Sequence, residues 1–408
     1  MVTKSDPVDS LIQHDAGRAP DLLAMKYAKM ATDPFVFLRG ACNLFYDALP
    51  SDPLFSKPPL VWACGDLHFE NFGSYKGDDR LVYFDVNDFD EAALAPCTWD
   101  LVRLLTSVLC GAGVLGSTED VAIEACRSMI QAYREALLRG KPLWVERDNV
   151  EGPIADLLDG LKQRKREDFL DQRTIKHKGA RSLRIDSGKA LPASEAQRQK
   201  VAEFMKVFAE TQDKPDFYQV LDIARRIAGT GSLGVERYVI LVEGKGSPDG
   251  CYLIDLKQAK PSSLAAALSS FKLKQPEMSD EAVRVVTVQR RMQAVDHAFL
   301  QAVQMNGAAF VLKGLQPSED RLDLGSWGRD AKSFAQVTTT MGRILAWDQL
   351  RAAGRQGAAN ADELVEFAQK PGWPDEILDA ARAMRDTTRQ QWQAFKTAYE
   401  AGRFVAQP

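Results

Sequence analysis

The chain has 408 residues, of which 45% are hydrophobic and 26% are charged. This length and apolar content predict two or three lobes, each with a core of its own. The formal net charge of −4 excludes a strongly basic protein, so neither nucleic acid nor a membrane surface is expected as a partner.

The six cysteines form no Cys-x-x-Cys pair, and several lie in apolar segments. This pattern predicts reduced core residues of a cytoplasmic protein. Residues 1–7 lack the apolar core of a signal peptide, and no apolar run reaches transmembrane length. We therefore expect a cytoplasmic location.

Arg39 is a charged residue within an apolar segment, FLRG at residues 37–40. An unpaired charge in such an environment is unfavourable. The sequence favours a structural ion pair with an acidic partner such as Asp47. A role as a phosphate ligand is the alternative.

The first of two acidic motifs is GDLHFEN at residues 65–71, which follows a strand-like apolar run at residues 60–64. Asp66 and Asn71 stand five positions apart, as in the kinase catalytic-loop signature Asp-Leu-x-x-x-Asn. His68 lies between them, and we expect its imidazole to hydrogen-bond the loop backbone rather than to transfer protons.

The second motif is NDFD at residues 87–90, which follows a strand-like run at residues 81–84. Glycines and aspartates between the motifs predict a turn that joins two strands and brings Asn71 and Asp88 close enough to share one cation. Asp90 is placed to bridge a second cation. Phosphoryl transfer needs such a set: one Asp to orient the acceptor hydroxyl, and an Asn and a second Asp to hold magnesium.

Residues 65–101 resemble the aminoglycoside and choline phosphotransferase branch of the protein-kinase-like fold, in which Gly-Asp-x-His-x-x-Asn precedes a metal motif and an Asp-Leu-Ala helix. The resemblance implies that Asp66 is the catalytic base and that Asn71 and Asp88 hold the metal. It also implies that Asp100 is a buried residue that braces the catalytic loop. That family usually has His before Gly-Asp, whereas this chain has a cysteine, so one brace is missing.

The same block, extended by residues 34–40 and 99–105, is similar to a bacterial family of unknown function, DUF2252. This second resemblance covers most of the chain. It implies little about the substrate.

Ten lysines and arginines lie between residues 162 and 189. Charge runs of this kind are usually solvated, so the sequence favours a linker between lobes. The alternative is a segment that folds over the cleft and contacts an anionic substrate or nucleotide phosphates.

A glycine motif, GTGSLG at residues 229–234, runs into a strand-like segment at residues 235–242. A turn rich in Gly and Pro and a second strand-like segment follow, and the latter ends in Lys257. This is the order of a kinase small lobe, in which loop and lysine meet the nucleotide phosphates. A dinucleotide-binding turn would run into a helix, so the kinase-type loop is favoured. The predicted nucleotide-binding residues of the loop are Gly229, Thr230, Gly231, Ser232 and Gly234.

Two positions in this part have competitors. Lys260 is the alternative to Lys257 as the phosphate-binding lysine. It lies three positions further along, so on a strand its side chain would face the opposite side, and the proline that follows ends the strand. A kinase pairs its lysine with a glutamate on a helix. Glu281, at the start of a predicted helix over residues 281–295, and Glu277 are both near enough in sequence for this role.

The predicted fold class is α+β, a two-lobed protein-kinase-like fold in circularly permuted order. A strand at residues 308–317 closes the small lobe, and helical spacing predicts a helix over residues 334–351. Permutation is tolerated where the old termini lie close together at the surface. The predicted division is a large lobe with the catalytic and metal loops at 1–160, a basic linker or insert at 161–214, a small β-rich nucleotide-binding lobe at 215–320, and a helical return to the large lobe at 321–408.

The predicted function is an ATP- and Mg²⁺-dependent transferase that moves a phosphoryl group to a hydroxyl acceptor. Adenylyl transfer at the same site is an alternative, as the kinase-like selenoprotein O family implies. A metallophosphoesterase is a second alternative because Asp66 and His68 resemble the Asp-x-His opening of such enzymes, and a catalytically silent nucleotide-binding or scaffold protein is a third. The acceptor, a small molecule or a protein, stays open.

Overall fold

The computed structural model describes residues 6–185, 188–315, 321–322 and 329–404. These residues form a mixed α+β fold, which confirms the predicted class. The α-helices are α1 Pro7–His14, α2 Pro20–Met30, α3 Pro34–Gly40, α4 Cys42–Asp47, α5 Pro53–Ser56, α6 Thr98–Gly111, α7 Glu119–Arg139, α8 Pro153–Gln163, α9 Arg166–Arg173, α10 Glu195–Glu210, α11 Ala265–Ser270, α12 Glu281–Met292, α13 Ala331–Arg351, α14 Ala361–Gln369 and α15 Trp373–Glu400.

The strands divide into one large sheet and several two-stranded ladders. The large sheet is antiparallel and has the order β11-β12-β10-β9-β8-β7. The strands are β1 Leu60–Ala63, β2 Phe72–Lys76, β3 Val82–Val86, β4 Ala93–Pro96, β5 Thr174–His177, β6 Ala180–Leu183, β7 Ala190–Pro192, β8 Val220–Arg226, β9 Arg237–Val242, β10 Tyr252–Gln258, β11 Gln301–Met305 and β12 Ala308–Gly314.

The large sheet contains the predicted hairpin, since β9 pairs with β10 in the register Ile240 to Ile254. Alternating apolar residues on one face of these strands pack against Met205 and other buried residues of α10. The strand predicted at residues 308–317 corresponds to β12, which ends at Gly314. Positions 316 and 317 of the predicted strand lie outside the described residues. The sheet begins with β7, which is earlier in the chain than the predicted start at residue 215.

The pairing of strands around the two acidic motifs differs from the prediction. The runs that precede the motifs, β1 and β3, do not pair with each other: β1 pairs with β4, and β3 pairs with β2. The glycines between the motifs predict a turn, but residues 72–76 form a strand because Phe72 and Tyr75 are buried. Asn71 and Asp88 are nevertheless close together, because β2 starts directly after Asn71 and its first residue pairs with Val86.

The described part of the basic segment, residues 162–185 and 188–189, is folded, which corrects the interpretation of the segment as a solvated linker. It contains α9 and the hairpin β5–β6. Leu170 and Leu183 are buried in a small core shared with β9 and β10. The guanidinium of Arg181 is also buried and pairs with Asp171 and Asp249. Apolar anchors and ion pairs thus attach the segment to the sheet.

A helical body packs around the ladders that carry the motifs. The predicted helix over residues 334–351 is confirmed as α13, whose apolar face packs along α7. Its buried residues and those of α6 share the largest core of the described residues with β1 and β4. The helix predicted from Glu281 to residue 295 ends at Met292, because Gln293 adopts an extended conformation.

All six cysteines are buried and free, as the sequence predicts for reduced core residues. No helix in the described residues has the length and apolar character needed to cross a membrane.

Candidate functional site

The loop at residues 65–71, the proposed catalytic loop, leaves β1 through a sharp turn at Gly65. This glycine has a φ of +87°, and a Cβ there would lie 2.2 Å from the carbonyl oxygen of Glu91, so a side chain does not fit. The buried carboxylate of Asp100 accepts hydrogen bonds from the backbone N–H groups of Cys64 (2.8 Å) and Gly65 (3.0 Å). Asp100 thus occupies the bracing position that the resemblance implies.

Asp66 lies at the floor of the cleft and pairs with Arg103 of α6. The Nε atom of Arg103 donates to Oδ1 of Asp66 at 2.8 Å, and its Nη2 atom contacts the same oxygen. Arg103 is fully buried, donates to the carbonyl of Leu38 and lies 4.8 Å over the ring of Phe45. Burial raises the pKa of Asp66 to about 7, even though Arg103 favours the charged form.

Asn71 and Asp88 are brought together by the β2–β3 ladder. The backbone N–H of Asn87 donates to the carbonyl of Asn71 at 2.9 Å, and the side-chain amide of Asn71 donates to the carbonyl of Asp66 at 2.5 Å. Burial alone would raise the pKa of Asp88. The positive charges of Lys257 and of neighbouring cations have the larger effect and hold this pKa below its ordinary value. The Asp88 carboxylate is therefore charged at neutral pH.

Lys257 faces the cleft from β10, as predicted, and forms a salt bridge with Asp90. This contact changes the expectation for Asp90, whose carboxylate is engaged by the lysine rather than free to hold a second cation. Burial, followed by repulsion from Asp88, raises the pKa of Asp90. Lys260 also lines the cleft, but it lies beyond the end of β10.

Glu281 does not pair with Lys257. Its carboxylate accepts from Nε of Arg284 at 2.6 Å, because the N-cap residue Asp280 places Glu281 in the first turn of α12 beside that arginine. Arg284 in turn donates to the carbonyl of Asp90 at 2.8 Å. The helix therefore supports the loop at residues 87–90 through Arg284, and Asp90, rather than a glutamate, pairs with Lys257.

The glycine segment, residues 229–234, connects β8 to β9 and lies against the catalytic loop. A Cβ at Gly231 would lie 2.9 Å from the carbonyl oxygen of Arg39 and 3.8 Å from Oδ2 of Asp66. The guanidinium of Arg18 donates to the carbonyls of Gly231 (2.5 Å) and Leu233 (3.0 Å). The N-terminal segment thus holds the glycine segment over the cleft.

Two sequence expectations near the catalytic loop are wrong in detail. Arg39 forms an ion pair with Glu70 rather than with Asp47, because the end of α3 directs it toward the catalytic loop. His68 does not hydrogen-bond the loop backbone: its Nδ1 atom is buried without a partner among the described residues, and its ring packs edge-on against Phe35 at 5.9 Å. Burial lowers the pKa of His68, so its imidazole is neutral.

The predicted residues converge on one cavity of about 690 Å³, named here the outer cavity. Its volume is in the range of small-molecule sites. A second cavity of about 170 Å³, the inner cavity, lies beside it and shares Asp88, Asp90 and Lys257 as lining residues. The predicted residues that line the outer cavity are Arg39, Asp66, His68, Asn71, Asp88, Asp90, Gly229, Thr230, Gly231, Ser232, Gly234 and Lys257.

Asn71 and Asp88 fit a magnesium ion that is held jointly with phosphate groups. The described residues contain no group of three or more His, Cys, Asp or Glu suited to hold a metal by themselves. Mg²⁺ commonly takes one or two carboxylates together with substrate phosphates rather than a complete protein cage. One charged carboxylate beside an amide matches that mode of binding.

The sequence interpretation does not predict several cations of the site, among them Arg18, Arg103 and Lys313. Arg103 pairs with Asp66, Arg18 holds the glycine segment, and Lys313 of β12 lines the inner cavity. A signal existed for Arg103, since it is a single charge in the apolar stretch LVRLL of α6. Lys313 carries a similar signal in the stretch AAFVLKGL at residues 308–315, whereas Arg18 does not, because its partners come from a distant part of the chain.

A family model described as "Uncharacterized protein conserved in bacteria (DUF2252)" matches residues 18–398. The chain belongs to this family. The match includes both acidic motifs, the glycine segment and Lys257, so the predicted residues that line the outer cavity all lie within the DUF2252 region. Neither a curated protein nor a solved structure matches the chain significantly.

Proposed function

We propose that this protein is an ATP- and Mg²⁺-dependent transferase of the kinase-like superfamily, which moves a phosphoryl group or another phosphorus-containing part of ATP to a hydroxyl acceptor. One observation carries the proposal. Asp66, Asn71 and Asp88 line the outer cavity together with Lys257 and the glycine segment. These are the groups that phosphoryl transfer needs.

The order of the parts along the sheet supports the same proposal. The glycine segment joins β8 and β9, Lys257 lies on the next strand, β10, and α12 follows before β11. In protein kinases a glycine loop covers the phosphates, and a lysine on the third strand precedes the helix that carries its acidic partner. The catalytic and metal loops precede the sheet in this chain, so the proposed fold is circularly permuted.

The residues have distinct proposed roles. Asp66 binds Arg103 through Oδ1, which leaves Oδ2 to accept the proton of an acceptor hydroxyl. Asn71 and Asp88 would hold Mg²⁺, which when bound supplies neutralisation of phosphate charge. Lys257 and the N–H groups of the glycine segment would bind phosphate oxygens.

A metallophosphoesterase is less well supported. Such a site needs several histidine ligands, whereas only His14 and His68 of the four histidines line the outer cavity. Burial lowers the pKa of His14 to about 4 and its Nε2 atom lies 3.4 Å from the hydroxyl of Ser263. Neither imidazole is placed with a group of carboxylates that forms a metal centre among the described residues.

The proposal is tested by following ATP consumption by phosphorus NMR with Mg²⁺ and a panel of small alcohols, sugars and amino alcohols. Wild type is expected to consume ATP with at least one acceptor. Asp66→Asn should lose consumption yet still bind ATP, and Asp88→Asn should lose both. Asp120→Asn, an exposed acid on α7, is the matched control and should behave as wild type. Full activity in both cleft variants would contradict the proposal.

A further inference from the structure

The inner cavity has a strong excess of positive charge. Of the described residues that line it, eight are lysine or arginine and three are aspartate. The cations come from the sheet, from the folded basic segment and from Arg321. A cavity of 170 Å³ is smaller than a typical pocket for a whole small-molecule ligand, so it suits one charged group of a larger molecule.

Among the described residues, two cations of this cavity share one carboxylate. Arg226 and Arg237 both pair with the single buried carboxylate of Asp255. Lys313 lies on the neighbouring strand, and its ammonium is 3.5 Å from the carbonyl of Asn87. Burial, followed by repulsion from Arg237, lowers the pKa of Arg226 to about 10. Burial likewise lowers the pKa of Lys313. An entering anion would relieve this repulsion.

A purine base is a poor occupant of the same cavity. A neutral ring beside the ammonium of Lys313 would bury that charge further without supplying a negative charge. Phosphate oxygens supply both charge and several acceptors, and arginine binds them in a bidentate manner. The charge of the cavity therefore selects the phosphate end of a nucleotide over its base.

We infer that the inner cavity binds the two terminal phosphates of a nucleoside triphosphate, so that the nucleoside lies in the outer cavity. The inference rests on the proposed function and specifies which group is transferred. Asp88 and Lys257 line both cavities and lie where the two meet, whereas Asp66 lines the outer cavity alone. With the β- and γ-phosphates in the inner cavity, the phosphorus next to Asp88 is the α-phosphorus.

The reaction that follows is adenylyl transfer. The oxygen of the acceptor hydroxyl forms a bond to the α-phosphorus, and the bond from that phosphorus to the oxygen bridging to the β-phosphorus breaks. Pyrophosphate leaves from the inner cavity, and the proton of the hydroxyl passes to the carboxylate of Asp66. The product is an AMP ester of the acceptor, and no further reactant is needed.

The first test is binding of inorganic pyrophosphate by calorimetry, with and without Mg²⁺, to the full chain. Wild type is expected to bind it, and Lys313→Met should weaken binding about tenfold or more, since one charge-assisted phosphate contact is lost. Lys313→Arg should restore most of the affinity. Lys176→Met removes an exposed cation of the basic segment that pairs with Asp249 outside the cavity, and it should bind as wild type does.

The second test uses ATP labelled with ³²P at the α- or the γ-position. Transfer of the α-label, with release of pyrophosphate, supports the inference. Transfer of the γ-label, or pyrophosphate binding that is absent or unchanged in Lys313→Met, overturns it and leaves the proposed function standing. A wild-type protein that binds pyrophosphate but not MgATP would instead overturn the proposed function. Thermal unfolding of each variant shows whether the fold is retained.

Discussion

Arg103 and Asp66 form an ion pair at the floor of the outer cavity, in which the arginine is fully buried and the aspartate faces the cleft. The pair connects α6 to the proposed catalytic loop. Arg103 also donates a hydrogen bond to the carbonyl of Leu38, a residue of α3. The orientation of the proposed base is therefore set by a residue that does not line the cavity.

Replacing Arg103 with methionine is expected to destabilise the protein by about 3 kcal/mol, since the change removes one member of a buried pair and leaves Asp66 uncompensated. Urea unfolding measures the effect. Arg127→Met removes an exposed arginine that pairs with Asp375 and should cost less than about 1 kcal/mol. Equal effects of the two substitutions would show that the Arg103–Asp66 pair contributes little.

The unfolding free energy of wild type should fall relative to Asp66→Asn as the pH rises from about 4 to about 7. The pKa of Asp66 is about 7 in the folded protein against an ordinary value of 3.8. In this window the folded state binds more protons than the unfolded state, so its stability decreases with rising pH. The variant lacks this titration. A difference between the two proteins that stays constant over this range would contradict the raised pKa.

Lys257→Met is expected to weaken ATP binding about tenfold or more, because a charge-assisted contact to phosphate is lost. Lys260→Met is the matched comparison, since Lys260 lines the same cavity beyond the end of β10. Fluorescence titration with a labelled ATP analogue measures both affinities. A larger loss of ATP affinity in Lys260→Met than in Lys257→Met would show that Lys260 is the phosphate-binding lysine.

Gly231→Ala should lower ATP affinity and also reduce the unfolding free energy. The added Cβ would lie 2.9 Å from the carbonyl of Arg39, so the glycine segment must move away from the catalytic loop. Gly160→Ala is the control: nothing lies within 4 Å of its Cβ on α8, and alanine favours the helix there. Unchanged ATP affinity in Gly231→Ala would show that the segment does not contact the nucleotide.

The sequence predicted those features of the site that depend on local pattern. The glycine motif is followed by a strand, Lys257 faces the cleft, and Asn71 lies near Asp88. Strand β2 was missed because Gly73 suggested a turn, while the burial of Phe72 and Tyr75 that makes it a strand depends on the rest of the fold.

The charge pairs could not be predicted from local pattern. Asp66 and Arg103 are 37 positions apart, and Asp90 and Lys257 are 167 positions apart. Each of these carboxylates had several cations available in the sequence, and only the packing of α6 and β10 against the two loops selects the partner. The same holds for the basic segment, whose fold depends on the burial of Leu170 against the sheet.

The central claim is a nucleotide site in which Asp88 holds Mg²⁺ and Lys257 binds phosphate in the same cavity. Calorimetry of ATP binding, with and without Mg²⁺, to wild type and Asp88→Asn tests it most directly. The account predicts that wild type binds ATP more tightly with Mg²⁺ and that the variant loses this enhancement. Wild type that binds no ATP under either condition, or an enhancement by Mg²⁺ that is the same in both proteins, would contradict it.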